Sequence, residues 1–286
     1  MKIAIIGASG FIGRHLISHL LKDYLKPEIN LEIVLAARNT DKLSAYNKYC
    51  QVVEFDIEKM DDCYNRLGKP DILLDLAWRN LSNYRSLSHI EVELPAHYQF
   101  IKCMVKAGVS SVCIAGTCFE YGMCSGALSE DTPTLPDNPY GYAKDALRQQ
   151  LQYLKTEHDF KFTWMRLFYL YGEGQPDNTL YSQLRAAIVQ KQPVFNMSGG
   201  EQLRDYLHVD AVVEKVALLT LKNQDIGVVN VCSGKPISIR RLVEDWLEKN
   251  NGAITLNLGY YPYPDYEPMA FWGSTEKMEK VENDRN

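Results

Sequence analysis

The stretch KIAIIGASGFIGRHL, residues 2–16, joins an apolar run typical of a buried strand to a glycine-spaced turn and the start of an amphipathic helix. Gly7 permits a tight strand-to-helix turn, Gly10 lets the backbone approach a pyrophosphate, and Gly13 lets the helix pack against the sheet. The helix N-terminus offers free N–H groups and a partial positive charge to phosphates. The turn therefore predicts a dinucleotide site, with a glycine turn that binds no ligand as the alternative.

The same alternation of short strands and helical stretches continues along the chain. Strands are predicted in KIAII, LEIVLA, QVVEF, DILLDLA, SVCIA and FKFTWMRL, and helices near residues 11–25, near 41–49, after QVVEF, and over 90–107. Parallel neighbours need a crossover, and helices supply it. The sequence thus predicts an α/β fold with a Rossmann-type doubly wound parallel sheet. We expect a dinucleotide-binding domain over residues 1–169 and a smaller substrate-binding lobe over 170–286, with about 205–235 returning in part to the main sheet.

Composition and charge exclude several classes of protein. The 286 residues carry a net charge of −5, which supplies no field to attract nucleic acid. No apolar run reaches the roughly 20 residues that cross a bilayer, and the first residues do not have the pattern of a cleavable leader. The seven cysteines are dispersed without CxxC spacing, so neither a disulfide framework nor a metal site is expected. These features predict a cytoplasmic protein with reduced thiols that binds neither nucleic acid nor a membrane.

The carboxyl ends of the predicted strands indicate which dinucleotide binds. An acid after the second strand binds the ribose 2′-hydroxyl of NAD, whereas an Arg accommodates the 2′-phosphate of NADP. Here VLAARN places Ala37 where the acid is expected and Arg38 next to it, which favours NADP(H) over NAD(H). A solvated strand-end charge is the alternative for Arg38. The predicted cofactor-binding residues are Gly7, Ser9, Gly10, Phe11, Ile12, Gly13, Arg38, Asp56, Ile57, Leu76, Ala77 and Lys144.

Tyr140 and Lys144 in YGYAK lie one helical turn apart, on one face of a predicted helix that Asn138 caps and Pro139 begins. The ammonium of Lys144 and the helix dipole both favour a phenolate. We therefore expect the pKa of Tyr140 to fall from about 10 toward about 7. Tyr140 could then exchange a proton with a carbonyl or an alcohol.

Context distinguishes this pair from a second YxxxK pair, Tyr98 and Lys102, which lies inside the long amphipathic helix and is expected to be structural. The first pair follows the fifth strand, SVCIAGTCFEYG, which delivers Thr117 to the carboxyl edge of the sheet. Open α/β folds bind their ligands at that edge. Thr117, Tyr140 and Lys144 are therefore the candidate catalytic residues.

Six blocks within about residues 1–245 occur in the order and spacing of a known family, namely GASGFIG, GTCFEYG, YGYAK, MRLFYLYGEG, RDYLHVD (204–210) and VNVCSGKPISI (229–239). In these blocks the chain resembles the extended short-chain dehydrogenase/reductases, the NAD-dependent epimerase/dehydratase group that acts on nucleotide sugars. The resemblance implies that Thr117 hydrogen-bonds the substrate oxygen, Tyr140 is the general acid/base, and Lys144 holds the nicotinamide ribose. It also implies a diphosphate-binding role for Arg204, with a structural ion pair between Arg204 and Asp205 as the alternative.

Departures from the family pattern reduce the number of reactions that the resemblance allows. The 4,6-dehydratases follow the Thr with Asp and Glu, whereas this chain has Cys118 and Phe119, which cannot supply the carboxylate pair for elimination. The keto-sugar epimerase-reductases have a Cys at the position of Phe119, so epimerisation beside the carbonyl is also disfavoured. Glu93 and Tyr169 replace two Asn residues of the family. The predicted substrate-binding residues are Thr117, Cys118, Phe119, Tyr169 and Arg204.

Simple hydride transfer is the reaction that the resemblance leaves. It implies NADPH-dependent reduction of the C4 ketone of a nucleotide-activated, dTDP-linked 4-keto-6-deoxyhexose to dTDP-fucose or dTDP-6-deoxytalose, in deoxysugar and polysaccharide biosynthesis such as that of O-antigen. The alternatives are an NDP-sugar 4-epimerase with tightly bound NAD and a non-catalytic dinucleotide-sensing protein. The family also implies a homodimer through a pair of helices that flank the active helix. An aromatic C-terminal stretch would cover the sugar or base, or pack a small lobe, through Tyr260, Tyr261, Tyr263, Tyr266, Phe271 and Trp272.

Overall fold

A computed structural model describes residues 1–24, 30–250 and 253–284. The strands in chain order are β1 (Lys2–Ile6), β2 (Glu32–Ala37), β3 (Gln51–Glu54), β4 (Ile72–Asp75), β5 (Ser111–Thr117), β6 (Gly126–Leu128), β7 (Lys161–Leu167), β8 (Tyr169–Tyr171), β9 (Val194–Asn196), β10 (Leu203–His208), β11 (Gly227–Val231), β12 (Pro236–Ser238), β13 (Thr255–Asn257) and β14 (Phe271–Gly273). The helices are α1 (Phe11–Asp23), α2 (Cys63–Arg66), α3 (Leu94–Ala107), α4 (Pro139–Glu157), α5 (Leu180–Val189), α6 (Val209–Leu221), α7 (Ile239–Lys249) and α8 (Glu276–Asn283).

Seven parallel strands form the main sheet, in the order β11-β7-β5-β4-β1-β2-β3. Its central strands are buried on both faces, as their uninterrupted apolar runs predict for a parallel sheet. One apolar core lies between the sheet and helices α1 and α6, and a second lies between the sheet and helices α3 and α4. The predicted doubly wound α/β fold is therefore confirmed. The chain changes direction between β1 and β4, where such sheets open a ligand crevice.

Two predicted helices near the β3 edge are shorter than expected. The stretch 41–49 forms a 3-10 helix only over Asp41–Tyr46, and the helix expected after QVVEF is the four-residue α2. The 3-10 helix buries only the Leu43 side chain, and α2 buries only Cys63. This small apolar contact is not enough to stabilise a longer helix. Helix α1 ends at Asp23 as described, and its predicted end at residue 25 lies outside the described residues.

The long helix predicted over residues 90–107 changes its geometry near the start. The turn His89–Glu93 is a π-helix in which the amide of Leu94 reaches the carbonyl of His89, five residues back. Pro95 has no amide hydrogen with which to continue the regular pattern, so α-helical bonding begins only in α3. The wide turn leaves the Glu93 side chain buried on the side that faces the sheet edge.

The chain beyond β7 contributes to both parts of the molecule. Strand β10 pairs with β8 and β12 in a separate three-stranded sheet, and α7 packs its Trp246 into the apolar core of this lobe. Helix α6 packs on α1, and β11 pairs in parallel with β7 in the main sheet. None of the helices in the described part of the chain has the length and apolar composition needed to cross a bilayer.

A buried ion pair ties the end of β5 to β7. The Nε of Arg166 on β7 donates to Oε2 of Glu120 at 2.7 Å, and both side chains are at most 2% exposed. The other oxygen of Glu120 accepts hydrogen bonds from the amide of Thr117 at 2.8 Å and from the Trp164 indole at 2.9 Å. Both carboxylate oxygens are therefore satisfied, which offsets the cost of burying the charge.

Breaking this pair tests its contribution to stability. Arg166→Met leaves the Glu120 carboxylate buried without its cation, so the free energy of unfolding should fall by about 3–5 kcal/mol in urea denaturation. The double variant E120Q/R166M removes both charges and should recover most of the loss. A loss below about 1 kcal/mol in the single variant would show that the pair does not hold the two strands together.

Candidate active site

At two positions in the turn between β1 and α1, only glycine fits the backbone geometry. Gly7 has φ +79°, and a Cβ there would lie 2.8 Å from the amide nitrogen of Ala77. A Cβ on Gly13 would lie 2.6 Å from the carbonyl oxygen of Ala8. Gly10 is the N-cap of α1 and makes no side-chain capping bond. The first amides of α1 therefore stay free for an anion, and the turn fits the pyrophosphate of a dinucleotide.

The other predicted cofactor residues lie at the carboxyl ends of the next strands. Arg38 directly follows β2 and is exposed, whereas Ala37 is buried within it. Asp56 follows β3 and accepts a hydrogen bond from the amide of Glu58 at 3.1 Å. Beyond β4, the amide of Ala77 donates to Oδ1 of Asp75 at 3.0 Å. The remaining predicted positions, Ser9, Phe11, Ile12, Ile57 and Leu76, belong to the same turns, so the structure places the predicted set along one edge of the sheet.

Helix α4 delivers the predicted tyrosine and lysine to this edge. Oδ1 of Asn138 accepts a hydrogen bond from the amide of Gly141 at 2.9 Å, and Pro139 occupies the first turn, as the sequence predicts. Tyr140, Lys144 and Thr117 are all buried, and the Thr117 side chain is near enough to Tyr140 to affect its pKa. The structure thus brings together the three candidate catalytic residues.

The expected fall in the pKa of Tyr140 is wrong for this arrangement. Burial is the largest effect and raises the pKa of Tyr140 well above 10, and the neighbouring Tyr84 raises it further. The nearby Thr117 side chain acts in the opposite direction and lowers the pKa of Tyr140. The phenol of Tyr140 therefore stays protonated near neutral pH.

The surroundings of Lys144 explain why its charge does not acidify the phenol. Its Nζ donates to the carbonyl oxygen of Ala115 at 2.7 Å and lies 3.9 Å from the centre of the Trp78 ring. Burial lowers the pKa of Lys144 to about 8, while the charges of Asp75 and other buried acids oppose that shift. The ammonium is thus held by a carbonyl and an indole face, and no carboxylate of residues 1–24, 30–250 or 253–284 forms an ion pair with it.

Aromatic rings pack around Tyr140 and form one wall of the site. The ring centres of Phe119 and Tyr140 are 6.1 Å apart, and those of Phe119 and Tyr169 are 6.4 Å apart. Cys118 lies buried beside them, and burial raises the pKa of its thiol far above the usual range. The pair Cys118 and Phe119 therefore supplies no ionised group to the site.

Arg204 lies close to Tyr169 but is already paired. Its Nη2 and Nε donate to Oε2 of Glu267 at 2.9 and 3.2 Å, and its Nη1 donates to main-chain carbonyls. The hydroxyl of Tyr169 donates to the other oxygen of Glu267 at 2.6 Å. Arg204 therefore does form an ion pair, but with Glu267 and not with the expected Asp205. Asp205 instead accepts hydrogen bonds from the main-chain amides of Ser233, Gly234 and Gly273.

The aromatic C-terminal stretch divides between the site and the surface. Tyr266 lies 6.4 Å from Phe119 by ring centres, and the buried Phe271 lies 5.9 Å from Tyr169. Tyr260 and Tyr261 are more than half exposed, and Tyr263 donates to Glu201 at the surface. Trp272 lies in β14, which pairs with β6. Only part of the stretch is therefore placed to cover a bound sugar.

Sequence reasoning missed a buried polar network beneath Lys144. Nδ1 of His97 lies 2.6 Å from Oδ2 of Asp75, and its ring stacks on Trp78 with centres 4.7 Å apart. Glu93 pairs with Arg79, and its pKa falls to about 2 because its contacts with His97 and Arg79 outweigh burial. The acid at the end of the apolar run DILLD, and Glu93 in place of a family Asn, were the available signals for this network.

Tyr84 was also missed. Its ring stacks on Tyr140 with centres 5.2 Å apart, and its carbonyl accepts the amide of Tyr140 at 3.1 Å. Tyr84 lies in a polar loop that has no periodicity, so nothing in the sequence pattern placed it at the site.

Comparison with known proteins agrees with this geometry. A family model described as the NAD dependent epimerase/dehydratase family matches residues 3–232. The dTDP-6-deoxy-L-talose 4-dehydrogenase (NAD(+)) of Aggregatibacter actinomycetemcomitans is 30% identical over 277 residues, which cover 96% of this chain and 100% of that protein. The CDP-abequose synthase of Yersinia pseudotuberculosis is 25% identical over 292 residues, 98% of this chain and 97% of that one.

Solved structures show the same fold. The UDP-glucuronic acid 4-epimerase of Bacillus cereus, in complex with UDP-glucuronic acid and NAD, has a TM-score of 0.84 at 22% identity, with 98% of this chain and 92% of that chain covered. The family model spans most of the chain, and the talose dehydrogenase matches nearly all of it. The chain therefore belongs to the NAD dependent epimerase/dehydratase family.

Proposed function

We propose that this chain catalyses the NADPH-dependent reduction of the C4 ketone of a dTDP-linked 4-keto-6-deoxyhexose. The product is of the dTDP-6-deoxytalose or dTDP-fucose type. The observation that carries the proposal is that Thr117, Tyr140 and Lys144 lie together at the carboxyl end of β5. The chain is also similar over nearly its whole length to a protein named as a dTDP-6-deoxy-L-talose 4-dehydrogenase. That name states the oxidation of the C4 alcohol, which is the same reaction in the opposite direction.

Each of the three side chains has a role that its surroundings support. Tyr140 is the proton donor to the C4 oxygen, and its raised pKa keeps it in the protonated form that a donor needs. Thr117 holds the same oxygen by a hydrogen bond, and Lys144 supplies a buried positive charge beside it. A nicotinamide dinucleotide bound at the glycine turn would supply the hydride.

The acids near the site support reduction over elimination. Glu120 is paired with Arg166, and Glu267 is paired with Arg204 and Tyr169. Neither Cys118 nor Phe119 provides the carboxylate that removal of water from the sugar requires. Reduction adds a hydride to C4 and a proton to its oxygen; the dinucleotide would supply the hydride, and the protein would need to supply only the phenol, the hydroxyl and the ammonium described above.

NADP(H) remains our proposal for the cofactor. The end of β2 carries the exposed Arg38 and no acid, and a guanidinium fits a 2′-phosphate. The name of the talose dehydrogenase specifies NAD(+), so the preference of this chain is a direct question for experiment. We also propose a cytoplasmic homodimer, because all seven cysteines are free thiols and the family resemblance implies a dimer.

Turnover of dTDP-4-keto-6-deoxyglucose with NADPH tests the function. We expect one NADPH to be consumed for each sugar reduced, with the product identified by NMR. Interconversion of sugar isomers without net loss of NADPH would instead indicate a 4-epimerase. Tight NADPH binding without turnover of the nucleotide sugar would leave a non-catalytic sensing protein.

The variant Tyr140→Phe tests the proton donor. Turnover should fall by about 10²- to 10⁴-fold because the phenyl ring has no proton to give, while NADPH affinity stays within a few-fold of wild type. Tyr98→Phe is the matched control, since Tyr98 belongs to the other YxxxK pair, in α3, with Lys102 5.6 Å from its ring centre. Full activity in Tyr140→Phe would remove the proposed role.

The pH dependence of the reduction tests Lys144. Its pKa of about 8 makes it charged below that pH and neutral above it, so kcat/KM should fall as the pH rises through about 8. Lys144→Arg keeps the charge at all accessible pH values and should show residual activity without that fall. A wild-type profile that is flat up to pH 10 would contradict the need for the charge.

Cofactor titrations of Arg38→Glu test the preference for NADP(H). The variant should bind NADPH at least about tenfold more weakly, since one charge-assisted contact is lost, and NADH affinity should change less than about threefold. Lys42→Glu, also exposed just beyond β2, controls for a general change of charge. Equal losses for both cofactors would overturn the assignment.

A further inference from the structure

Two cysteines from different elements lie in contact away from the catalytic residues. The Sγ of Cys63 at the start of α2 lies 3.1 Å from the Sγ of Cys103 in α3. Cys63 is buried, whereas Cys103 is exposed. In the described residues no other two cysteines make such a contact, and all seven cysteines are free thiols.

We propose that Cys63 and Cys103 are a modification site at which a low-molecular-weight disulfide, of the class of glutathione disulfide, oxidises the two thiols to a reversible intramolecular disulfide. The sulfur atoms need to approach by about 1 Å to reach bonding distance. Few helical hydrogen bonds oppose that movement of Cys63, because α2 is only four residues long. Neither cysteine belongs to the site described above, so the proposal does not depend on the reaction catalysed.

The different exposure of the two thiols sets the order of the chemistry. Cys103 is accessible, so its thiolate attacks the small disulfide, forms a mixed disulfide and releases one small thiolate. Burial and the contact with Cys103 raise the pKa of Cys63 to about 12, which keeps Cys63 protonated and unreactive toward solution oxidants.

The second exchange completes the bond. Cys63 first gives up its proton, its thiolate then attacks the Cys103 sulfur of the mixed disulfide, and the departing small thiolate takes up a proton. Two protein thiols and one small disulfide thus give one protein disulfide and two small thiols. A reducing compartment keeps such a pair as thiols at rest, so the bond would form only when the thiol pool is oxidised.

The bond would close a loop that contains much of the wall of the active site. The chain between the two cysteines includes β4, Trp78, Tyr84 and the π-helical turn His89–Glu93. A cross-link restricts the unfolded chain more as the loop lengthens. For a loop of this length we expect the Tm to rise by about 5 °C or more on oxidation and to return on reduction.

The experiment uses the full chain treated with oxidised glutathione, followed by alkylation of free thiols, mass spectrometry and thermal unfolding. The wild type should lose the mass of two hydrogens, with the new bond mapped to Cys63 and Cys103, and its Tm should rise. Cys63→Ala should accumulate glutathione on Cys103, because the resolving thiol is absent. Cys103→Ser, at an exposed position that folding tolerates, should form no bond at Cys63.

Cys124→Ser is the matched control, since Cys124 is partly exposed and its Sγ makes no sulfur–sulfur contact in the described residues, and this variant should behave as wild type. The proposal is overturned if both thiols of the wild type stay reduced, if glutathione remains on Cys103 in the wild type, or if the bond maps to another pair. These readouts are masses and melting temperatures, so they do not depend on finding the substrate.

Discussion

The carboxylate of Glu120 is the constraint on which the geometry of the site depends. It accepts hydrogen bonds from the amide of Thr117 at the end of β5 and from Trp164 and Arg166 on β7. A buried carboxylate is tolerated only with a full set of partners. Because these partners come from two neighbouring strands, the end of β5 has one favourable position relative to β7. Thr117 is thereby held in place by the fold itself, without help from a ligand.

The surroundings of Tyr140 and Lys144, the proposed catalytic pair, determine their protonation states. Tyr140 is enclosed by aromatic rings, so its charged form is disfavoured and the phenol remains protonated. Lys144 is buried as well, but the Ala115 carbonyl and the Trp78 face stabilise its ammonium. A protonated phenol beside a charged amine suits proton donation to a ketone better than proton removal from an alcohol. A protonated Tyr140 is the form from which the proposed reduction starts.

Local patterns in the sequence predicted the parts of the structure that depend on local chemistry. The glycine turn, the apolar strands and the Asn138 cap of α4 each follow from a few neighbouring residues, and the fold built from them is confirmed. The sequence predictions were wrong where contacts between residues distant in the chain determine the property predicted. Spacing placed Lys144 one turn from Tyr140, but whether it acidifies the phenol depends on Trp78 and Ala115, from two other elements. No periodicity in the sequence encodes such a contact.

The pairing of Arg204 was likewise not predictable from local sequence patterns, and it restricts how Arg204 can bind an anionic ligand. Its guanidinium donates to Glu267 and to two carbonyls, and Glu267 also accepts the hydroxyl of Tyr169. Separating one partner of a buried ion pair is costly because the other charge is left unpaired. An anionic group that takes Arg204 has to displace Glu267 or share the guanidinium with it. The diphosphate role implied for Arg204 therefore depends on the carboxylate some sixty residues further along the chain as much as on the arginine itself.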